Sequence, residues 1–100
     1  MTLSKQKIIT IVTETRLESA LCEDIEKLGG HGYTITDARG KGHRGVRDAV
    51  WAANANIRIE VVCEPEVAKN ITEHLKKHYF DNYAMILFTG DVQVLRPDKF

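Results

Sequence analysis

Three glycines and three cations alternate in Gly40-Lys41-Gly42-His43-Arg44-Gly45-Val46-Arg47. Glycine lets backbone N–H groups approach an anion without a Cβ in the way. Arginine offers a forked set of donors that matches phosphate or carboxylate oxygens. The stretch therefore reads as an anion-binding loop, with Arg44, Arg47 and His43 as the groups facing the anion. A solvated connection of the same composition is the plainer alternative. The segment also fits G-x-G-x-x-G, but it follows a second strand and leads into at best a short helix at Asp48–Ala53. A dinucleotide fingerprint belongs on a first strand-to-helix turn before a long helix.

Around this loop the chain is an ordinary globular one. One hundred residues suggest a single domain over 1–100, with 43% apolar and 28% charged residues. Fourteen basic and fourteen acidic residues cancel, which argues against a general nucleic-acid binder. Arg39, Lys41, Arg44 and Arg47 still make a local basic patch. Cys22 and Cys63 lie far apart with no C-x-x-C, so reduced thiols are expected, not a disulfide framework or a zinc site. Met1–Lys7 show no signal-peptide core, and no 18-residue apolar run occurs. A cytoplasmic protein is expected, meeting the inner membrane only through a partner.

The elements that must position the loop follow from periodicity. Ile8–Val12 reads as a central strand. Thr15 and Glu18 fit a capping box before a helix carrying Leu17, Leu21, Ile25 and Leu28, which ends at Gly29-Gly30. Gly32–Arg39 is the second strand. Residues 41–56 show no period and form a long loop, in which Trp51 either packs back on the core or, with Val50, stands as a candidate partner contact. Ile57–Cys63 alternates as a third strand. Glu64-Pro65-Glu66 opens a second helix with Val67, Ala68, Ile71, Leu75 and Tyr79 on its core stripe. His74 and His78 stand at i, i+4, a surface pair in the absence of a third metal ligand. Tyr83–Thr89 reads as a buried fourth strand, Gly90-Asp91 as a turn and Val92–Leu95 as a short fifth strand. The result is an α+β, ferredoxin-like βαββαβ sandwich with a short extra C-terminal strand and an antiparallel sheet. Its second sheet face is apolar enough to call for oligomerisation.

Gly32-Tyr33-Thr34-Ile35-Thr36-Asp37, then Gly40-x-Gly42, a long loop, and Asn56–Val62 together resemble the PII signalling proteins. Gly42–Arg47 with Tyr79-Phe80-Asp81-Asn82-Tyr83-Ala84 resembles the PII-like subgroup linked to bicarbonate transporters and carboxysomes, the SbtB-like and carboxysome-associated members. The resemblance covers nearly the whole chain. It implies a homotrimer with nucleotide sites between subunits and a signalling T-loop at about 41–56. Gly40, Gly42, Arg44 and Arg47, with Lys41 among them, fall at the T-loop base where phosphates are held. Thr34 and the backbone of Tyr83, Ala84 and Met85 fall where adenine and ribose are framed. Asn56 closes the loop, and Arg96 matches a C-terminal phosphate-side arginine.

Arg44 stands where typical members carry a glutamine, so 2-oxoglutarate sensing is not implied. The loop has no tyrosine for uridylylation. Tyr79–Tyr83 replaces the glycine-rich phosphate loop, which favours ADP, AMP or cyclic AMP over ATP. The expectation is a non-catalytic sensor of adenine nucleotides and bicarbonate, with no covalent cofactor, signalling to a membrane bicarbonate transporter or another target.

Three alternatives share the topology. An acylphosphatase-type enzyme would place an arginine cradle after the first strand, where Thr13-Glu14-Thr15-Arg16 offers one arginine and no glycine. An RNA-binding domain would carry aromatics in the third strand, which has none. A metal-binding trimer would have to use the histidines.

Overall fold

The computed structural model describes residues 3–40 and 56–100. The strands are β1 (Ser4–Glu14), β2 (Thr34–Asp37), β3 (Asn56–Cys63) and β4 (Met85–Val94). The helices are α1 (Glu18–Lys27) and α2 (Pro65–His78). The four strands form one antiparallel sheet in the order β2-β3-β1-β4. This is the ferredoxin-like order, with the two sequence-adjacent pairs split by crossovers through α1 and α2.

Both helices cover one sheet face. Leu21 and Ile25 of α1 and Ala68, Ile71 and Leu75 of α2 pack on Ile9, Ile11, Ile57, Ile59 and Val61. Each of the larger side chains buried there contributes about 1.5–3 kcal/mol. Their register follows from the two-residue period of a strand. Ile11 pairs with Ile59 and Leu87, and Ile9 with Val61, so one face collects the branched residues.

α1 ends where its sequence said it would. Gly29 has φ 104°, a left-handed conformation that costs glycine little. A Cβ on Gly30 would lie 2.5 Å from Ile25 Cγ2, so the chain turns back against its own helix only with glycine there.

Three expectations need correction. Thr15 and Glu18 form no capping box. The chain enters α1 through a 3-10 turn over Thr15–Leu17 whose N-cap is Glu14, and neither helical start has a side-chain cap bond. Gly90-Asp91 is not a turn and no separate fifth strand follows. Gly90 pairs with Ile8 and Asp91 with Lys7, because β1 begins at Ser4 and supplies ladder partners beyond the expected turn. β4 is also not buried on both faces, since Ile86 and Phe88 are 47% and 52% exposed on an edge strand. No helix among the described residues is long and apolar enough to cross a membrane.

Candidate functional site

The antiparallel register brings four strand ends together. Glu14 at the end of β1 pairs with Asn56 at the start of β3. Thr13 pairs with Met85 at the start of β4, and Asp37 at the end of β2 with Ile57. The described chain stops at Gly40, just past β2, and resumes at Asn56, the start of β3, so the stems of the loop expected over 41–55 stand at this same end of the sheet. The two stems of that loop are tied together, because Ala38 N–H donates to the Asn56 carbonyl at 3.0 Å. Asn56 itself is buried.

A cleft of about 340 Å³ opens here, lined by Thr15, Asp37, Ala38 and Arg39. Arg39 brings positive charge and Thr15 a hydroxyl to its wall. Next in the chain, Gly40 has open space where a Cβ would be, so a ligand could approach its backbone closely.

On the other side of β1 the Tyr83–Ala84–Met85 segment is held by polar bonds. Thr13 Oγ1 donates to the Ala84 carbonyl at 2.6 Å, and the Ala84 N–H donates to Glu14 Oε2 at 2.8 Å. Glu14 Oε1 accepts from Arg16 Nε at 2.7 Å. The Arg16 guanidinium lies 5.2 Å from the centre of the Tyr83 ring, in the range of a cation–π contact. Tyr83 in turn lies 5.8 Å from Tyr79. Arg16 is thus engaged by Glu14 and Tyr83. An acyl-phosphate enzyme of this topology would instead need that arginine aimed at its phosphate.

Tyr79 anchors the end of α2 to α1. Its hydroxyl donates to Asp24 Oδ2 at 2.5 Å, and His74 Nε2 lies 3.2 Å from the same oxygen. Burial first, and then the Asp24 bond, push the Tyr79 phenol well above its usual range. The His74 and His78 rings lie 4.4 Å apart, as their spacing implied. Among the described residues no cluster of His, Cys, Asp or Glu is arranged to hold a metal ion. Cys22 is half-buried, and its hydrogen bond with Tyr33 is the main cause that pushes the Tyr33 phenol up to about 12. Cys63 is buried, and burial raises its thiol.

Of the expected site residues, Gly40, Asn56, Tyr83, Ala84 and Met85 come to one end of the sheet. Thr34 does not. It starts edge strand β2 and pairs with Glu60, in the middle of the sheet. Arg96 lies beyond the far end of β4, where Val94 pairs with Ser4. Ten residues of strand separate it from Ala84 by roughly 30 Å. Lys41, Gly42, His43, Arg44, Arg47, Val50 and Trp51 lie outside the described residues.

Sequence reasoning weighed Thr13-Glu14-Thr15-Arg16 only as a poor acyl-phosphate cradle and gave Glu14, Thr13 and Arg16 no part in this site. The one signal available was an acid and a base two residues apart directly after an apolar strand, and the competing capping-box pattern obscured it.

The model of the nitrogen regulatory protein P-II family matches residues 6–99. Among solved structures, a protein of Thermus thermophilus described as PII-like and signalling is 44% identical. The match covers 100% of this chain and 99% of that one at TM-score 0.85. CPII of Thiomonas intermedia K12, bound to ADP, AMP and acetate, is 26% identical over 100% of this chain and 98% of its own, at TM-score 0.86. The same protein bound to ADP and bicarbonate matches at 26% identity and TM-score 0.85, over 99% of this chain and 97% of that one.

Proposed function

Since the chain belongs to the nitrogen regulatory protein P-II family, we propose that it is a regulatory sensor that binds ADP or AMP, with cyclic AMP as a further ligand, and bicarbonate. Residues 41–55 then act as the loop that carries the signal. The observation that carries this reading is the convergence at one sheet end of the loop stems, the Arg39-lined cleft and the clasped Tyr83–Met85 segment. A relative of this fold with ADP and bicarbonate bound supports the ligand classes.

The phosphates go to the loop base, at Gly40, Lys41, Gly42, Arg44 and Arg47. His43 and the spare donors of Arg44 and Arg47 hold bicarbonate. The base sits against Tyr83–Met85. Thr34, three residues of strand from Asp37, and Arg96, beyond the far end of β4, serve a neighbour's site in a homotrimer. The bare sheet face with Ile86 and Phe88 is the surface that a second copy covers. Ligand binding orders the loop by its differential affinity for two loop states, and Val50 and Trp51 present the result to a target. We place the chain with the bicarbonate-transporter and carboxysome-associated subgroup. A bicarbonate transporter is the target this implies.

Calorimetric titration with ADP, AMP, ATP and cyclic AMP, each with and without bicarbonate, tests the reading. Micromolar ADP or AMP binding that bicarbonate strengthens and Arg47→Ala weakens at least tenfold is expected. Binding indifferent to bicarbonate removes the carbon link. Absence of nucleotide binding removes the sensor.

A further inference from the structure

Glu14 is an unusual carboxylate for its surroundings. It is 9% exposed, it is the last residue of β1, and it stands at the N-cap of the turn into α1. Burying a carboxylate is costly unless its oxygens are satisfied. Here each oxygen has one charge-assisted or amide donor, Arg16 Nε on Oε1 and Ala84 N–H on Oε2. The neighbouring Thr13 takes the other polar atom of the same residue, the Ala84 carbonyl. Two consecutive residues of β1 therefore grip N–H and C=O of a single residue some seventy positions away. The grip falls just before β4 joins the ladder at Met85.

We infer that Glu14, assisted by Thr13, is a positioning residue for the nucleotide site. This rests on the sensor reading, which seats the base against Tyr83–Met85. An amide N–H has one hydrogen to give. With Glu14 in place the Ala84 amide is committed within the chain, and an adenine ring must be read by other atoms of the segment. Glu14 also draws Arg16 over Tyr83, which fixes the ring that borders the segment. It thus sets where the segment lies and which backbone donors remain for a ligand.

The test uses the full chain and three variants, Glu14→Ala, Glu14→Gln and Thr13→Val. Amide hydrogen exchange is read residue by residue without ligand, and ADP affinity by calorimetry. Glutamine keeps one acceptor, for Ala84 N–H, and sets an NH2 donor in place of the oxygen that accepted from Arg16, so it loses the Arg16 bond and the charge but keeps the Ala84 bond. The expected order is wild type close to Glu14→Gln, with Glu14→Ala exchanging about tenfold faster at residues 83–85 and binding ADP about tenfold more weakly. Thr13→Val shifts the same residues in the same direction.

Unchanged exchange at 83–85 in both Glu14→Ala and Thr13→Val would overturn the inference. So would faster exchange with ADP affinity intact, or an acceleration spread evenly over all strands, which marks a merely structural role. A wild type that binds no ADP fails at the sensor reading, and is recognised because the exchange contrast at 83–85 persists.

Discussion

The sheet's two faces share four strands and meet opposite fates. Under the helices, Ile9, Ile11, Ile57, Ile59 and Val61 are at most 1% exposed. On the other face the β2 and β3 side is polar, with Thr34, Thr36 and an Arg58–Glu60 pair at 3.0 Å. The β1 and β4 side is apolar there, with Val12 opposite Ile86 and Thr10 opposite Phe88. A chain that needed only to fold would not leave Ile86 and Phe88 half exposed on an edge strand. The helix-covered face builds the subunit, and the bare face is where one subunit meets another in the proposed assembly.

That contrast breaks hardest on the covered face. Ile59→Ala removes a side chain that touches both neighbouring strands in the core. It is expected to lower unfolding stability by about 2–5 kcal/mol, read as a shift in denaturant midpoint. Phe88→Ala on the bare face is expected to cost the isolated subunit less than about 1 kcal/mol, since half of the ring is already in water. Its larger effect is on assembly. Phe88→Asp should lower the sedimenting mass of the protein at micromolar concentration, and an unchanged mass would mean that this face is not the interface.

The rim of the covered face gives an intermediate case. Tyr79→Phe removes the hydroxyl that bonds Asp24 and is expected to cost about 1–2 kcal/mol at neutral pH. The pH dependence has a definite sign. The Tyr79 phenol titrates higher in the fold than its ordinary value of 10.0, so its contribution is intact below pH 10 and is lost as pH rises toward the folded value. Stability of the wild type should therefore fall faster above pH 10 than that of Tyr79→Phe. Tyr33 also titrates high but is common to both proteins, so it cancels in the difference. Parallel curves would mean that the Asp24 bond contributes nothing.

The faces also explain what was legible in the sequence. β3 could be read correctly because Ile57, Ile59 and Val61 alternate with Arg58 and Glu60, so polarity itself marks the two sides. β4 could not. Met85-Ile86-Leu87-Phe88 is apolar on both sides, and an apolar pattern on an exposed face is indistinguishable in the sequence from one that serves a core. Gly90-Asp91 misled because turn chemistry is local, whereas the ladder partners Lys7 and Ile8 lie over eighty residues away. Gly40 and Asn56 could be placed at one sheet end from the sequence because they flank its one long stretch without a period, between two readable strands. Glu14 was hidden because its partner is the amide of Ala84, and a backbone partner leaves no mark on the sequence.

The smallest effect separates two ion pairs that the sequence would rank alike. Lys7 Nζ and Asp91 Oδ1 are 2.5 Å apart at the far end of the sheet, but the Asp91 side chain is 83% exposed. Glu14 and Arg16 sit at the loop end with the carboxylate side chain 12% exposed and an amide as second partner. The hydrogen bond from Lys7, and then its charge, hold the Asp91 carboxyl below its ordinary 3.8. The stability this adds is present above pH 3.8 and is lost as pH falls through the lower folded value. Asp91→Asn should accordingly be slightly less stable than the wild type at pH 7, with the gap closing below that range. Molar salt should also close the gap at pH 7, because an exposed pair is screened within a few ångströms. The exchange protection that Glu14 gives residues 83–85 should survive the same salt, since its amide bond is shielded from solvent and needs no long-range attraction. If salt releases both ends alike, the loop end is as solvated as the far end, and the rigid seat assigned to Tyr83–Met85 is lost.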